Sequence, residues 1–144
     1  MKNKLIFLLV VVLSWSSLNA QKIPITTKSK EALTFYKKGW QHEDRLNLDE
    51  VEKMYSRAVS MDSAFALAYL RLAMVKDNYE VRRTQLKQAV KYIDQVTEAE
   101  KLWIKGRVDF YASGYDGSKE YGYFKKLAKL YPNDEMAGYY FKYK

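Results

Sequence analysis

The chain is 144 residues long with no cysteine and one histidine, so a disulfide framework, a thiol nucleophile, a histidine-rich metal site and a histidine-based triad all lack members. Apolar residues make up 48% of it, enough at this length for one domain with a continuous core. The net charge of +8 is compatible with an anionic partner but does not require one.

The first element is amino-terminal. Lys2 and Lys4 precede the apolar run Leu5 to Leu13, then Ser14 to Asn19 and Ala20, the order of a secretory signal cleaved after Ala20. A retained anchor is the alternative, but the strictly apolar run is shorter than the ~20 residues a bilayer takes, and serines dilute its continuation. No stable membrane span is expected after cleavage. Loss of residues 1–20 removes two lysines and no acid, lowering the charge from +8 to +6. The lack of cysteine also excludes a lipid-modified cysteine, and export without disulfides points to a bacterial periplasm or cell surface. Nucleic acid is not expected as a partner of an exported chain. Residues 21–28 read as a flexible lead-in, and residues 29–144 as the folded domain.

Helices follow in pairs. From Ser29 to Met61, Ala32, Phe35, Gly39, Leu48, Val51, Tyr55, Ala58 and Val59 recur at three- and four-residue intervals, the mark of buried helical stripes. Polar residues Asp44 to Asn47 separate the two helices, and Asn47 with Glu50 forms a cap for the second. Ser63 is placed to cap a third helix, running through Ala64, Leu67, Ala68, Leu70, Leu72, Ala73 and Met74. Its partner spans Glu80 to Gln95 on Leu86, Ala89, Val90 and Ile93. A capping box, Thr97 to Glu100, opens a further pair, with Leu102, Trp103, Gly106 and Phe110 on one helix and Tyr121, Phe124, Leu127, Ala128 and Tyr131 on the other. Pro132 ends that helix, and a last one spans Asp134 to Tyr143.

The pairs repeat. Gly39 and Ala73 lie 34 positions apart, as do Phe35 and Tyr69, and Gly106 follows Ala73 by 33. Small residues at Gly39, Ala58, Ala73 and Gly106 would let paired helices approach closely enough to bury aromatic faces.

With Phe35, Gly39, Val51, Tyr55 and Ala58, then Tyr69, Leu72 and Ala73, the chain resembles the tetratricopeptide repeat family. The junction Ala58 to Tyr69 is similar to that of bacterial proteins that attach such helices to regulatory or signalling modules. Departures lie in the second repeat, where Gln85, Ala89 and Tyr92 occupy the second-helix positions, and in the third, which carries extra loop residues around Gly114 to Gly117. The resemblance implies an all-α fold of antiparallel helix-turn-helix repeats stacked into a short right-handed solenoid, about three repeats plus a terminal helix. An unrelated helical bundle shares the periodicity and is the alternative. It also implies a protein or peptide ligand on the concave surface lined by the first helix of each repeat. By register those positions are Leu33, Tyr36, Trp40, Glu43 and Asp44; Leu67, Leu70, Met74, Asp77 and Asn78; and Glu100, Trp103, Arg107, Phe110 and Tyr111. Trp40 and Trp103 are either anchors for that ligand or core residues at the same spacing.

The other features weigh less. Arg82, Arg83, Lys87 and Lys91 line one helix and Lys125, Lys126 and Lys129 another, as an anion-binding surface or as solvated faces. His42 reads as a polar residue near a helix end. Gly114 to Lys119 lacks phosphate-loop spacing and reads as a turn capped by Ser118. Asp49, Glu50 and Glu52 sit in a first helical turn, where they offset the dipole. Met136, Tyr139, Tyr140, Phe141 and Tyr143 make the last helix adhesive nearly all round, which suggests self-association through it. No residue set supports an enzyme, a cofactor or a metal. The expected function is a non-catalytic interaction scaffold of the bacterial envelope. Alternatives are a structural subunit of an envelope complex, or a sensory or regulatory module partnered with a catalytic chain.

Overall fold

The computed structural model describes residues 22–43, 45 and 47–142, and side chains as far as residue 138. The signal read at residues 1–20 lies outside the described residues, as do Asp44 and the side chains of Tyr139, Tyr140, Phe141 and Tyr143. Among the described residues there are seven α-helices and no strand: α1 Lys30–Glu43, α2 Leu48–Met61, α3 Ala66–Val75, α4 Tyr79–Lys91, α5 Glu98–Ala112, α6 Ser118–Leu130 and α7 Glu135–Lys142. A single 3-10 turn, Ile93–Gln95, joins α4 to α5, where an unbroken α-helix to Gln95 was expected. Helices adjacent in sequence pack together as α1 with α2, α3 with α4 and α5 with α6. The pairs connect chiefly through α2 on α3 and α6 on α7, whereas α5 meets α3 and α4 only lightly.

Local chemistry explains the helix starts. Asn47 Oδ1 accepts from the Glu50 N–H at 3.4 Å, and the Thr97–Glu100 capping box forms in both directions. Ser63 does not cap α3. Asp62 Oδ1 takes the Ala64 N–H at 3.0 Å instead, and α3 begins at Ala66, two residues later than expected. Phe65 holds the cap position without a side-chain acceptor, and its own N–H is taken by the Asp62 carbonyl at 3.1 Å. Likewise, Asp116 accepts from the Ser118 N–H at 2.9 Å, so Ser118 is the first helical residue and not the cap.

Pairing rests on the small residues. A Cβ on Gly39 would lie 2.6 Å from Cε1 of Tyr55, so only glycine lets α1 lie this close to the α2 ring. Gly106 meets Phe124 of α6 less tightly, at 3.2 Å. Ala58 and Ala73 are fully buried. The core runs through Tyr36, Tyr55 and Phe65, with ring centroids 5.6 and 5.1 Å from Tyr36, and on to Trp103 against Phe124 at 5.1 Å.

The lead-in expected to be flexible is a held strap. Residues 22–29 run extended past the amino-terminal ends of three helices, and a carboxylate at each end receives them. Asp62, before α3, accepts from the Thr27 hydroxyl at 2.6 Å and the Lys28 N–H at 2.9 Å. Glu100, in the first turn of α5, accepts from the Thr26 N–H at 2.7 Å and the Thr26 hydroxyl at 2.6 Å. Asp134, before α7, accepts from the Ile23 N–H at 2.8 Å while its other oxygen accepts from the Met136 N–H at 2.7 Å. Each carboxylate thus satisfies strap donors and offsets a helix amino terminus. The Ile23 side chain is buried in the core, which fixes the strap from its apolar side too.

Candidate functional site

The face that register assigns to ligand binding is largely filled. Tyr36, Leu67, Leu70 and Trp103 are each 1% exposed or less, their side chains packed in the core. Met74 is half-buried against the same core. Glu100 is fully buried under the strap. Trp40 and Trp103 flank a residue the sequence reading passed over, Arg71 of α3, whose guanidinium lies 4.4 Å from one ring centroid and 4.8 Å from the other. Glu43 pairs with Arg71 at 3.0 Å and also accepts from the Tyr55 hydroxyl at 2.6 Å. Burial alone would depress the Arg71 pKa, but Glu43 beside it reverses the effect and Arg71 stays charged. Burial likewise pushes the Tyr36 and Tyr55 hydroxyls above their ordinary values, so both remain protonated donors.

The remaining candidates are dispersed. Asn78 caps α4 by accepting from the Val81 N–H at 3.1 Å, and Asp77 beside it is exposed. Arg107 ties α5 to α6 through Glu120 at 2.7 Å and lies over the Phe110 and Tyr111 rings at 4.9 and 5.2 Å. Phe110 is half-buried, edge-on to Tyr111 and Tyr115. The one signal that could have revealed Arg71 is its place four residues after Leu67 on an apolar stripe, a position a solvated arginine does not occupy.

Two open grooves lie among the described residues. The first, of about 580 Å³, lies between α1, α7 and the strap and keeps Leu33 and Trp40 in reach above the buried Tyr36, with Ile23, Ile25 and Met136 opposite. The Tyr36 hydroxyl donates to Met136 Sδ at 3.7 Å, closing α1 onto α7 at its base. Lys37 and Gln41 stand exposed on its rim. The second, of about 590 Å³, lies between α4 and α5, with an apolar floor of Leu86, Val90 and Val108, tyrosine walls and a cationic lip. The lip cations Arg82, Arg83 and Lys87 and the stripe residues Leu86 and Val90 were legible in the sequence; their meeting with Val108 of α5 in one groove was not.

Among the described residues there is no group of three or more His, Cys, Asp or Glu side chains placed to hold a metal ion. No described helix is long and apolar enough to cross a membrane. What the molecule offers is an all-helical body of packed helix pairs with apolar grooves at its surface. Compared with family models, curated proteins and solved structures, the chain matches none.

Proposed function

We propose that this protein is a non-catalytic interaction scaffold of the bacterial envelope, built as a short tetratricopeptide-like solenoid, with its partner seated in the Trp40 groove. One observation carries the reading: Trp40 is backed by the buried Arg71 and opens its other side to a groove large enough for an apolar side chain and its neighbours. An indole held rigid from behind loses little entropy on binding, which suits an anchor. The closed base at Tyr36 and Met136 limits what fits to a loop or peptide segment and leaves the strap as one wall.

The test is a cross-linking pull-down from bacterial envelope extract with the full chain, beside Trp40→Ala and the rim variant Lys37→Glu, each checked for unchanged helicity. A stoichiometric protein partner retained by the parent chain, and recovered at least tenfold less with both variants, is the expected result. Equal recovery with all three removes this groove as the seat, and absence of any partner removes the scaffold reading.

A further inference from the structure

The α4–α5 groove has chemistry of its own. α4 buries only Ala89, so its apolar residues on the α5 side stay in contact with solvent; Val90 is 42% and Tyr79 63% exposed. Clustered apolar surface rimmed by charge marks a contact site. The lining carries three cations, Arg82, Arg83 and Lys87, and no carboxylate. Arg82 holds the walls together, donating to the Tyr115 hydroxyl at 2.7 Å and to the Lys76 carbonyl, with its guanidinium 5.0 Å from the Tyr111 centroid. Arg83 and Lys87 stand exposed at the lip. The 3.9 Å contact of Arg83 with Glu80 is a surface pair of little strength.

The far wall is built at a cost. After the helical α5, Gly114 and Tyr115 both adopt left-handed backbone, at φ of 71° and 72°, and the Tyr115 N–H closes the helix end by donating to the Phe110 carbonyl at 2.9 Å. Left-handed backbone is unfavourable for tyrosine. That conformation turns the Tyr115 ring, 59% exposed, onto the groove beside Phe110 and Tyr111.

We propose that this groove seats an acidic amphipathic helix of a partner protein, its apolar side chains on Leu86, Val90 and Val108 and its carboxylates at Arg83 and Lys87. The α4 wall from Tyr79 to Val90 is about 16 Å long at 1.5 Å per residue, or three turns of a docked helix. The groove is open to solvent along that wall, which suits a chain segment; a small ligand would favour an enclosed cavity. Lys87, four residues after Arg83, matches carboxylates at the same spacing on the incoming helix. The proposal adds a second seat to the scaffold reading and does not depend on the Trp40 groove.

The test titrates the full chain with a fluorescein-labelled helical peptide of leucine and glutamate in helical register, beside a peptide of identical composition in scrambled order. Amide shifts map the contact by NMR. Preferential binding of the ordered peptide, with shifts at Leu86, Val90, Val108 and Tyr111, is expected. Arg83→Glu with Lys87→Glu should weaken it at least tenfold, while Lys125→Glu with Lys129→Glu on α6, the same change of net charge, and Trp40→Ala should leave it within twofold. Equal weakening by both charge pairs, shifts confined to α6, or equal affinity for the scrambled peptide would overturn the proposal. So would groove-dependent binding to phosphatidylglycerol vesicles without binding to the peptide. Loss of the Trp40 seat with this binding intact would dismiss the first groove alone.

Discussion

Gly39 and Gly106 occupy equivalent places in two helix pairs, yet they predict different responses to one added methyl group. At Gly39 the new Cβ meets the Tyr55 ring at 2.6 Å, and that ring is fully buried with its hydroxyl tied to Glu43, so it has nowhere to move. Gly39→Ala is expected to destabilise the fold by about 1–3 kcal/mol despite alanine's better helix propensity. At Gly106 the nearest atoms are at 3.2 and 3.3 Å, and a shift of a few tenths of an ångström offsets much of the ~1 kcal/mol helix gain, leaving Gly106→Ala near neutral. Urea unfolding of the two variants side by side reads the difference; equal costs would show that the α1–α2 contact is no tighter than its counterpart. The need for small residues was legible in the sequence because spacing alone exposes it. Arg71 was not, since a charge within an apolar stripe declares its burial only when its partners, Glu43 and two indoles from other helices, are placed around it.

Helices as elements were legible almost to their ends, and the strap was not. Hydrophobic periodicity marks a helix from within, whereas an extended segment of Lys22 to Ser29 has no period and is fixed by acceptors far along the chain. Those acceptors, Asp62, Glu100 and Asp134, each lie at a helix start, and their shared role appears only once the strap is placed along them. A pH prediction belongs here. Partial burial by itself raises the Asp62 carboxyl, but hydrogen bonds from Thr27, Lys28 and Ala64 more than reverse this and hold its pKa below the ordinary carboxylate value. The folded pKa is depressed, so the stability Asp62 supplies is present above the unfolded value of about 4 and is lost as pH falls through the folded one. Acid should therefore loosen the strap at Thr27 and Lys28. Asp62→Asn should remove most of that pH dependence, as read by amide protection at Lys28 corrected for intrinsic exchange. An unchanged acid response in the variant would show that Asp62 does not carry it.

At the scale of the molecule, packing of sequence-adjacent helices followed from the paired stripes, while the filled inner face did not. Register can say which residues share a face but not how much of that face the neighbouring helices and a buried Arg71 consume. The two grooves divide accordingly: one keeps Trp40 from the expected set, and the other uses a cationic lip that read equally well as a solvated face. The strap also ties α7 to residues far back in the chain. Ile23 is 5% exposed and its backbone holds Asp134, so Ile23→Ala should cost about 2 kcal/mol, at the lower end for such truncations because an edge site can partly close. The loss should appear first as reduced amide protection in α7 and only later in the other helices, as read by hydrogen exchange. Uniform loss across all helices would mean that the strap stabilises the whole core and not its α7 end.

The same hydrogen bond sets an order in time. Ile23 and Asp134 are 111 residues apart, so at a synthesis rate of roughly 5–20 residues per second the strap waits several seconds for its acceptor to exist. The helix pairs, whose contacts are local, can form during that interval, and the long-range clasp can close only over a body already assembled. Until then the Ile23 side chain stays uncovered, giving a newly made chain a brief interval in which a chaperone can still distinguish it from a finished one.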